Sequence, residues 1–311
     1  MSKIAIIQEA PSVLDRDATL ARAADIIGEV AAQGAQLIVF PEAYVPGYPA
    51  WIWRLRPGGD WGASEQLHER LVESAVDLDS SQLSPLLEAA RQHDMNIVCG
   101  LNERDSTRGG ATVYNSVISV NEQGHIINHH RKLMPTNPER MVWGFGDGSG
   151  LNVVDTPVGR IGSLICWENY MPLTRYALYA QGVEVYIAPT YDSGEGWMGS
   201  MQHIAREGRC WVICAGVALR GSDIPEDFPQ RDTLYPEDED WINPGDSLVV
   251  APGGEIVAGP MHQEQGLLYA DIDASRSVKA KRALDVAGHY ARPDIFTLNV
   301  DRSKQSPVKF E

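Results

Sequence analysis

Short apolar runs and one longer amphipathic segment alternate along the first forty residues. Residues 3–8 and 36–40 are mostly apolar, which is typical of strands covered on both faces. Between them, residues 15–33 carry apolar side chains at helical spacing, and Gly34 is placed to end that helix. A strand, a helix and a strand of this length predict a βαβ unit with parallel strands.

The remaining patterns continue this alternation of strands and helices to about residue 283. Helices are predicted at 64–76, 82–93, 173–180, 197–208 and 273–283. Strands are predicted at 95–101, 112–120, 125–133, 151–155, 160–165, 184–188, 211–218, 247–251, 255–258 and 267–272, with a hairpin turn at 121–124. Because no repeat or linker divides the chain, we expect one α/β domain with mixed sheets covered by helices.

Three segments lack these periodicities. Residues 43–62 are rich in proline, glycine and aromatic residues, so we interpret them as an ordered loop that packs over a pocket. Residues 220–244 are acidic and proline-rich and are expected to run over the surface. Residues 284–311 form a C-terminal tail. The glycine run at 146–150 lacks the spacing of a phosphate-binding loop, and no helix follows it.

Composition narrows the classes of protein to consider. The 311 residues carry a net charge of −16 without a dense Lys/Arg cluster, which argues against nucleic acid and anionic membranes as partners. No apolar segment approaches the ~18 residues of a membrane span or resembles a signal peptide. The four cysteines show neither a CxxC pair nor zinc-ligand spacing, so we expect reduced thiols, no metal and a cytoplasmic location.

Three apolar runs each end in a residue with useful chemistry: Glu42, Lys132 and Cys166. Taken singly, Glu42 and Lys132 fit solvated strand ends, and Cys166 fits a buried structural thiol. Taken together they make mechanistic sense, since a thiol of ordinary pKa needs a base such as Glu42. Lys132 and the backbone N–H of Trp167 would then stabilise developing negative charge on an acyl-type substrate.

The segments around these residues resemble the three signature blocks of the nitrilase superfamily. They are FPEAYVPGYP at 40–49, HRKLMPT at 130–136 and CWENYMP at 166–172, in the family's order and spacing. Further similar segments are ERMVWG at 139–144, MQHIAREGRC at 201–210 and GHYARPD at 288–294. The residues after Cys166 are similar to those of true nitrilases, whereas amidase branches more often have an aspartate in this turn.

The resemblance implies a four-layer αββα sandwich with two mixed sheets. The carbon-nitrogen hydrolase domain would span residues 1–283, and the tail at 284–311 would lie at an oligomer interface. The catalytic residues would be Glu42, Lys132 and Cys166, with Glu139 orienting Lys132. A homodimer or higher homo-oligomer is implied, and no cofactor or metal. Longer C-terminal extensions accompany helical filaments in this branch, so long spirals are not expected here.

Aromatic residues are candidates for the substrate pocket. The set expected to bind substrate is Tyr48, Trp143, Trp167, Tyr191 and Trp197. Their alternative role is ordinary core or dimer packing, except for Trp167, which directly follows Cys166. Such a lining would suit aryl or arylaliphatic nitriles, but the sequence leaves the preferred nitrile open.

The function that this resemblance implies is thiol-dependent hydrolysis of an organic nitrile. Two waters would be consumed to give a carboxylic acid and ammonia, through a thioimidate and then a thioester on Cys166. Two alternatives stay open at this point. The first is an aliphatic amidase or a nitrile-to-amide converting member of the superfamily, since the triad is shared. The second is a non-catalytic oligomeric scaffold.

Overall fold

In the computed structural model, which describes residues 1–106, 109–306 and 308, thirteen strands form two mixed sheets. The strands are β1 Ser2–Gln8, β2 Ala35–Val39, β3 Asn96–Arg104, β4 Val113–Val120, β5 Ile126–Arg131, β6 Val153–Thr156, β7 Gly159–Ser163, β8 Val185–Thr190, β9 Trp211–Gly216, β10 Ala218–Arg220, β11 Trp241–Val250, β12 Ile256–His262 and β13 Gly266–Ile272. The helices are α1 Arg16–Ala32, α2 Trp61–Ser74, α3 Ser84–Gln92, α4 Pro172–Tyr179, α5 Glu195–Gly208, α6 Arg231–Leu234 and α7 Ser275–Lys281.

Each sheet combines parallel and antiparallel neighbours. Sheet one has the order β13-β1-β2-β3-β4-β5, with β1, β2 and β3 parallel and the outer strands antiparallel. Sheet two has the order β10-β11-β9-β8-β7-β6, with β12 pairing to β11 and a parallel centre of β7, β8 and β9. The predicted βαβ unit is therefore confirmed as β1-α1-β2.

The packing of the two sheets explains why their inner strands are apolar on both faces. On β1, Ile4 and Ile6 pack between the sheets, whereas Ala5 and Ile7 pack under α1. The inner face of sheet two meets β1 from the other side, and its outer face packs against α4 and α5. Helices thus cover the outer face of each sheet, and the four-layer αββα arrangement within one domain is confirmed.

The acidic segment at 220–244 is less superficial than its composition suggests. Phe228 and Tyr235 are buried and contact each other, and Phe228 also contacts Trp51 from the aromatic loop at 43–62. The expectation of a surface excursion is therefore wrong for its apolar residues, which cover that loop. The strand predicted at 211–218 is also interrupted, since β9 ends at Gly216 and β10 begins at Ala218.

The tail beyond α7 is irregular over its described part. Its aromatic side chains Tyr290 and Phe296 are exposed, and Gln305 donates a backbone hydrogen bond to Asp147. Whether this tail lies at an oligomer interface stays a prediction. Of the helices in the described ranges, none is long and apolar enough to cross a membrane.

Candidate active site

Cys166 lies in a strained turn just beyond the carboxyl end of β7. It begins a short 3-10 helix, Cys166–Tyr170, and has a φ of +50°, which non-glycine residues rarely adopt. Asn169 holds this turn by donating its side-chain amide to the carbonyl oxygens of Leu164 and Cys166, at 3.0 and 2.7 Å. The strand, sharp turn and helix predicted around Cys166 are therefore present, and the thiol side chain is buried.

Lys132 follows the end of β5 and lies between two carboxylates. Its Nζ donates to Glu42 Oε1 at 2.8 Å and to Glu139 Oε2 at 2.7 Å, and all three side chains are almost completely buried. Glu42 comes from the loop after β2, and Glu139 from the short helix Asn137–Met141. The structure thus brings together three groups from distant parts of the sequence.

Glu42 is fixed by donors from both sheets. Its Oε1 also accepts from the Asn115 side chain at 2.7 Å, and its Oε2 accepts from the backbone N–H of Tyr191 at 2.7 Å. The Glu42 loop also approaches β3 so closely that a Cβ on Gly100 would lie 2.2 Å from the Pro41 carbonyl oxygen. Glycine is therefore required at position 100 for Glu42 to occupy this place.

Glu168 connects the strand that carries Lys132 with the turn that carries Cys166. Its two oxygens lie 3.0 Å from His130 Nε2, and they accept the backbone N–H groups of Leu133 and Ile165 at 2.7 Å. Glu168 and His130 have no exposed side-chain surface. Because Leu133 follows Lys132 and Ile165 precedes Cys166, one buried carboxylate sets the spacing of both catalytic candidates.

The electrostatic environment keeps Cys166 as a thiol and Lys132 as a cation. Burial raises the pKa of the Cys166 thiol well above its ordinary value, and the charge of Glu42 raises it further while Lys132 offsets part. Burial alone lowers the pKa of the Lys132 ammonium, but the carboxylates outweigh burial and the net shift is upward. Burial also raises the pKa of Glu42, despite the opposing charge of Lys132.

A cavity of about 260 Å³ opens above these groups. Cys166 and Glu139 line it, together with Tyr48, Trp53, Thr136, Trp167, Tyr191, Asp192, Ser193, Ile242, Asn243 and Pro244. Tyr48 and Tyr191 stack in parallel with ring centroids 3.7 Å apart, and the Tyr48 hydroxyl donates to Glu139 at 2.6 Å. Trp167 is 49% exposed at the mouth of the cavity, where its indole N–H donates to Asp192 at 2.7 Å.

Two of the predicted substrate-binding aromatics lie outside the lining of this cavity. Trp143 is buried behind Tyr48, where its indole N–H donates to Asn102 at 2.9 Å. Trp197 is buried on α5 in the core of sheet two and donates to the Cys214 sulfur at 3.0 Å. Direct contact of these two rings with a substrate is therefore not supported, because their indole N–H groups already donate to buried side chains outside the cavity lining.

Several residues that hold the site were not selected from the sequence alone. Asn115 is a polar residue within the buried strand β4. An amide side chain in an otherwise buried strand was the one sequence signal that could have pointed to it. Glu168 and His130 lie inside the family-like blocks, but only the structure shows that they pair. Among the described residues, no group of three or more His, Cys, Asp or Glu side chains could hold a metal ion.

Comparison with known sequences places the chain in a family. A model of the carbon-nitrogen hydrolase family matches residues 3–282. The chain is 40% identical over 312 residues to the bifunctional nitrilase/nitrile hydratase NIT4A of Nicotiana tabacum, covering 98% of this chain and 87% of that protein. It is also 40% identical over 307 residues to the aliphatic nitrilase of Sinorhizobium fredii, covering 98% and 97%.

Solved structures with the same fold are more distant in sequence. Nit3 of Saccharomyces cerevisiae, a member of branch 10 of the nitrilase superfamily, superposes with a TM-score of 0.72 at 21% identity, covering 93% of this chain and 96% of that chain. An amidase from Nesterenkonia sp. superposes with a TM-score of 0.66 at 21% identity, covering 91% and 94%. With the family model matching residues 3–282 and relatives about 40% identical along the chain, this protein belongs to the carbon-nitrogen hydrolase family and is an enzyme related to nitrilases.

Proposed function

We propose that this enzyme hydrolyses a small organic nitrile to a carboxylic acid and ammonia, with Cys166 as the nucleophile. The observation that carries this proposal is the buried Glu42–Lys132–Glu139 cluster, whose charges all act on the thiol that lines the cavity. The aromatic walls formed by Tyr48, Tyr191 and Trp167 suit the apolar part of a nitrile, whereas Trp143 and Trp197 act through packing.

The first half of the reaction forms a covalent bond to sulfur. Cys166 Sγ attacks the nitrile carbon while Glu42 takes the thiol proton, and a proton delivered to the nitrogen completes a neutral thioimidate. Lys132 is held as a cation and, with the backbone N–H of Trp167, stabilises the negative charge that develops on the nitrogen. Glu139 keeps Lys132 in place for this step.

The second half consumes two waters. Glu42 removes a proton from the first water as its oxygen bonds to the thioimidate carbon, and the nitrogen is protonated to give a tetrahedral intermediate. Breaking the C–N bond releases ammonia and leaves a thioester on Cys166. A second water then attacks the thioester, and breaking the C–S bond releases the acid and restores the thiol.

An amide product is a second candidate outcome at the same site. If the C–S bond of the tetrahedral intermediate breaks before the C–N bond, the amide leaves and the thiol is restored directly. The relative in Nicotiana tabacum is described as a bifunctional nitrilase/nitrile hydratase, which favours considering both outcomes for this chain. The ratio of ammonia released to nitrile consumed distinguishes them: near one for acid, near zero for amide.

The decisive experiment offers purified enzyme a panel of aliphatic, aryl and arylacetonitriles and measures both ammonia and amide. We expect turnover of at least one nitrile by the wild type and none by Cys166→Ala, with a substrate-derived mass on Cys166 in the wild type. Full turnover by both Cys166→Ala and Cys166→Ser would overturn the nucleophile assignment. Turnover of simple amides but of no nitrile would instead favour the amidase alternative.

We also infer a homo-oligomer in a reducing compartment such as the cytoplasm. Exposed apolar side chains gather on and near α4 and the tail, including Leu173 at 67% and Phe296 at 77% exposure, and a contact between copies would cover them. All four cysteines are free and buried, which suits reducing conditions. Light scattering of the purified protein should therefore give a mass of at least two chains.

A further inference from the structure

Thr190 contacts the sulfur of Cys166 from the neighbouring strand. It is the last residue of β8, which pairs in parallel with β7, so both residues lie at the same edge of sheet two. The Thr190 side chain is fully buried, and its Oγ1 lies 3.4 Å from Cys166 Sγ with the geometry of a hydroxyl donor. A buried hydroxyl beside a nucleophile requires an explanation, since valine would fill the same volume.

A second contact favours the donor role of the Thr190 hydroxyl in this hydrogen bond. The backbone N–H of Asp192 donates to Thr190 Oγ1 at 2.8 Å, so the hydroxyl oxygen already serves as an acceptor there. A threonine hydroxyl has one proton to donate, and the sulfur is the acceptor found within reach of it. The loop that carries Asp192 thereby orients the Thr190 proton toward Cys166.

We propose that Thr190 is a further catalytic residue, whose hydroxyl donates a hydrogen bond to the Cys166 sulfur and stabilises negative charge on it as the thiol proton leaves for Glu42. The inference rests on the proposed role of Cys166 as nucleophile. It adds a neutral donor to a site in which Lys132 is the cation that opposes two carboxylates acting on the same sulfur.

The surroundings of the sulfur show why this donor matters. Burial and the charges of Glu42 and Glu139 raise the pKa of the Cys166 thiol, whereas Lys132 and the Thr190 hydroxyl lower it. Tyr48 and Tyr170 also interact electrostatically with Cys166, and both remain protonated phenols because burial raises the pKa of each. Removing the hydroxyl removes a group that favours the thiolate, without removing a formal charge.

The test measures alkylation of Cys166 by iodoacetamide between pH 6 and 10, followed by intact mass. Thr190→Val removes the hydroxyl at constant volume, and Thr190→Ala does so with a smaller side chain that cannot crowd the site. We expect both to move the alkylation profile upward by about one pH unit and to slow alkylation at neutral pH about tenfold. Thr190→Ser keeps the hydroxyl and should retain the wild-type profile.

Controls separate this effect from general loosening. Cys166→Ala gives the background from the other three thiols. Thr19→Val removes a buried hydroxyl that donates to Asp15 O at 2.7 Å and does not line the cavity, so it should leave the profile unchanged. Thr190→Val and Thr190→Ala also deprive the Asp192 N–H of its acceptor. If that loss were their only effect, KM for a nitrile would rise and the alkylation profile would not move.

Wild-type profiles for both Thr190→Val and Thr190→Ala, or a shifted profile for Thr190→Ser, would overturn the proposal. Because alkylation requires no nitrile, a chain that hydrolyses no nitrile but shows the expected shift would contradict the proposed function and leave the role of Thr190 standing. Conversely, normal nitrile turnover with an unshifted profile would contradict only the role of Thr190.

Discussion

Lys132 determines the charge balance of the cavity, since its ammonium group neutralises part of two buried carboxylates. Its pKa is raised above the ordinary value because the charges of Glu42 and Glu139 outweigh the effect of burial. A lysine in this state keeps its proton through the working pH range, so its contribution is electrostatic rather than that of a general base. Glu42, whose pKa is raised by burial, is better suited to exchange protons.

Replacing Lys132 tests this division of roles. Lys132→Met leaves two buried carboxylates unpaired, so we expect kcat/KM to fall at least 10²-fold and the free energy of unfolding to drop by about 3–5 kcal/mol. Nitrile turnover and urea denaturation provide the two measurements. Lys279→Met, at an exposed position on α7, is the matched control and should change neither quantity.

A second substitution distinguishes lost charge balance from lost packing. In Lys132→Met/Glu139→Gln one of the two unpaired charges is removed, so part of the lost stability should return while activity stays low. If the double variant is no more stable than Lys132→Met, the destabilisation arises from packing and the electrostatic account of this cluster is wrong.

At the scale of elements, the site depends on the junction between the ends of β5 and β7. Each end carries one catalytic candidate, Lys132 or Cys166, and the buried carboxylate of Glu168 binds a backbone N–H from both ends. Burial opposes ionisation of Glu168, but the His130 charge and these hydrogen bonds prevail and hold its pKa below the ordinary value. Glu168 thereby fixes the position of the end of β5 in sheet one relative to the end of β7 in sheet two.

Glu168→Gln tests the importance of this junction. The amide keeps the shape but loses the charge and one acceptor oxygen, so a buried backbone N–H and His130 lose their partner. We expect a loss of about 2–4 kcal/mol in the free energy of unfolding and a fall in kcat larger than the rise in KM. Glu195→Gln, exposed in the first turn of α5, is the control for urea denaturation and kinetics. Unchanged kcat with reduced stability would show that the junction only supports the fold.

The same junction shows which parts of the candidate site can be predicted from the sequence and which cannot. Hydrophobic patterns predict β2, β5 and β7, and the residues that follow them, Glu42, Lys132 and Cys166, can therefore be assigned to strand ends. Periodicity cannot show that Glu168 turns inward to His130, because that contact depends on how the two sheets stack. It also cannot show that Thr190 reaches the sulfur, because that contact depends on the pairing of β8 with β7. Composition likewise misrepresents residues 220–244, where exposed acids alternate with the buried rings of Phe228 and Tyr235.

For the whole molecule, sheet one contains an ionic cluster around Glu103. Protonation of this cluster in acid should also affect the position of Lys132. Glu103 at the end of β3 is buried and lies 2.7 Å from His129 Nε2 and 3.0 Å from Arg131 Nε on β5, and it also accepts the Ser116 hydroxyl at 2.6 Å. Burial opposes ionisation, yet these partners hold the pKa of Glu103 at about 2, below its ordinary value of 4.5. The cluster thus fastens β5, the strand that leads directly into Lys132.

A lowered pKa stabilises the fold only while the carboxyl is ionised. The contribution of Glu103 is therefore complete above about pH 4.5, falls as the pH drops toward 2, and amounts to about 3 kcal/mol from the two pKa values. In urea denaturation at pH 7, Glu103→Gln should consequently be less stable than the wild type by about this amount.

The difference in the free energy of unfolding between the wild type and Glu103→Gln should shrink as the pH is lowered from 5 to 2. The wild type then loses the ionised carboxylate that the variant lacks from the start. Glu65→Gln, exposed on α2, is the control and should follow the wild type at every pH.

Activity provides a second readout, since loosening of β5 displaces Lys132. The wild type should lose kcat over the same pH interval in which the stability difference closes. A stability difference that stays constant from pH 7 to pH 2 would show that Glu103 contributes through packing, and the acid response of the molecule would then have to originate elsewhere.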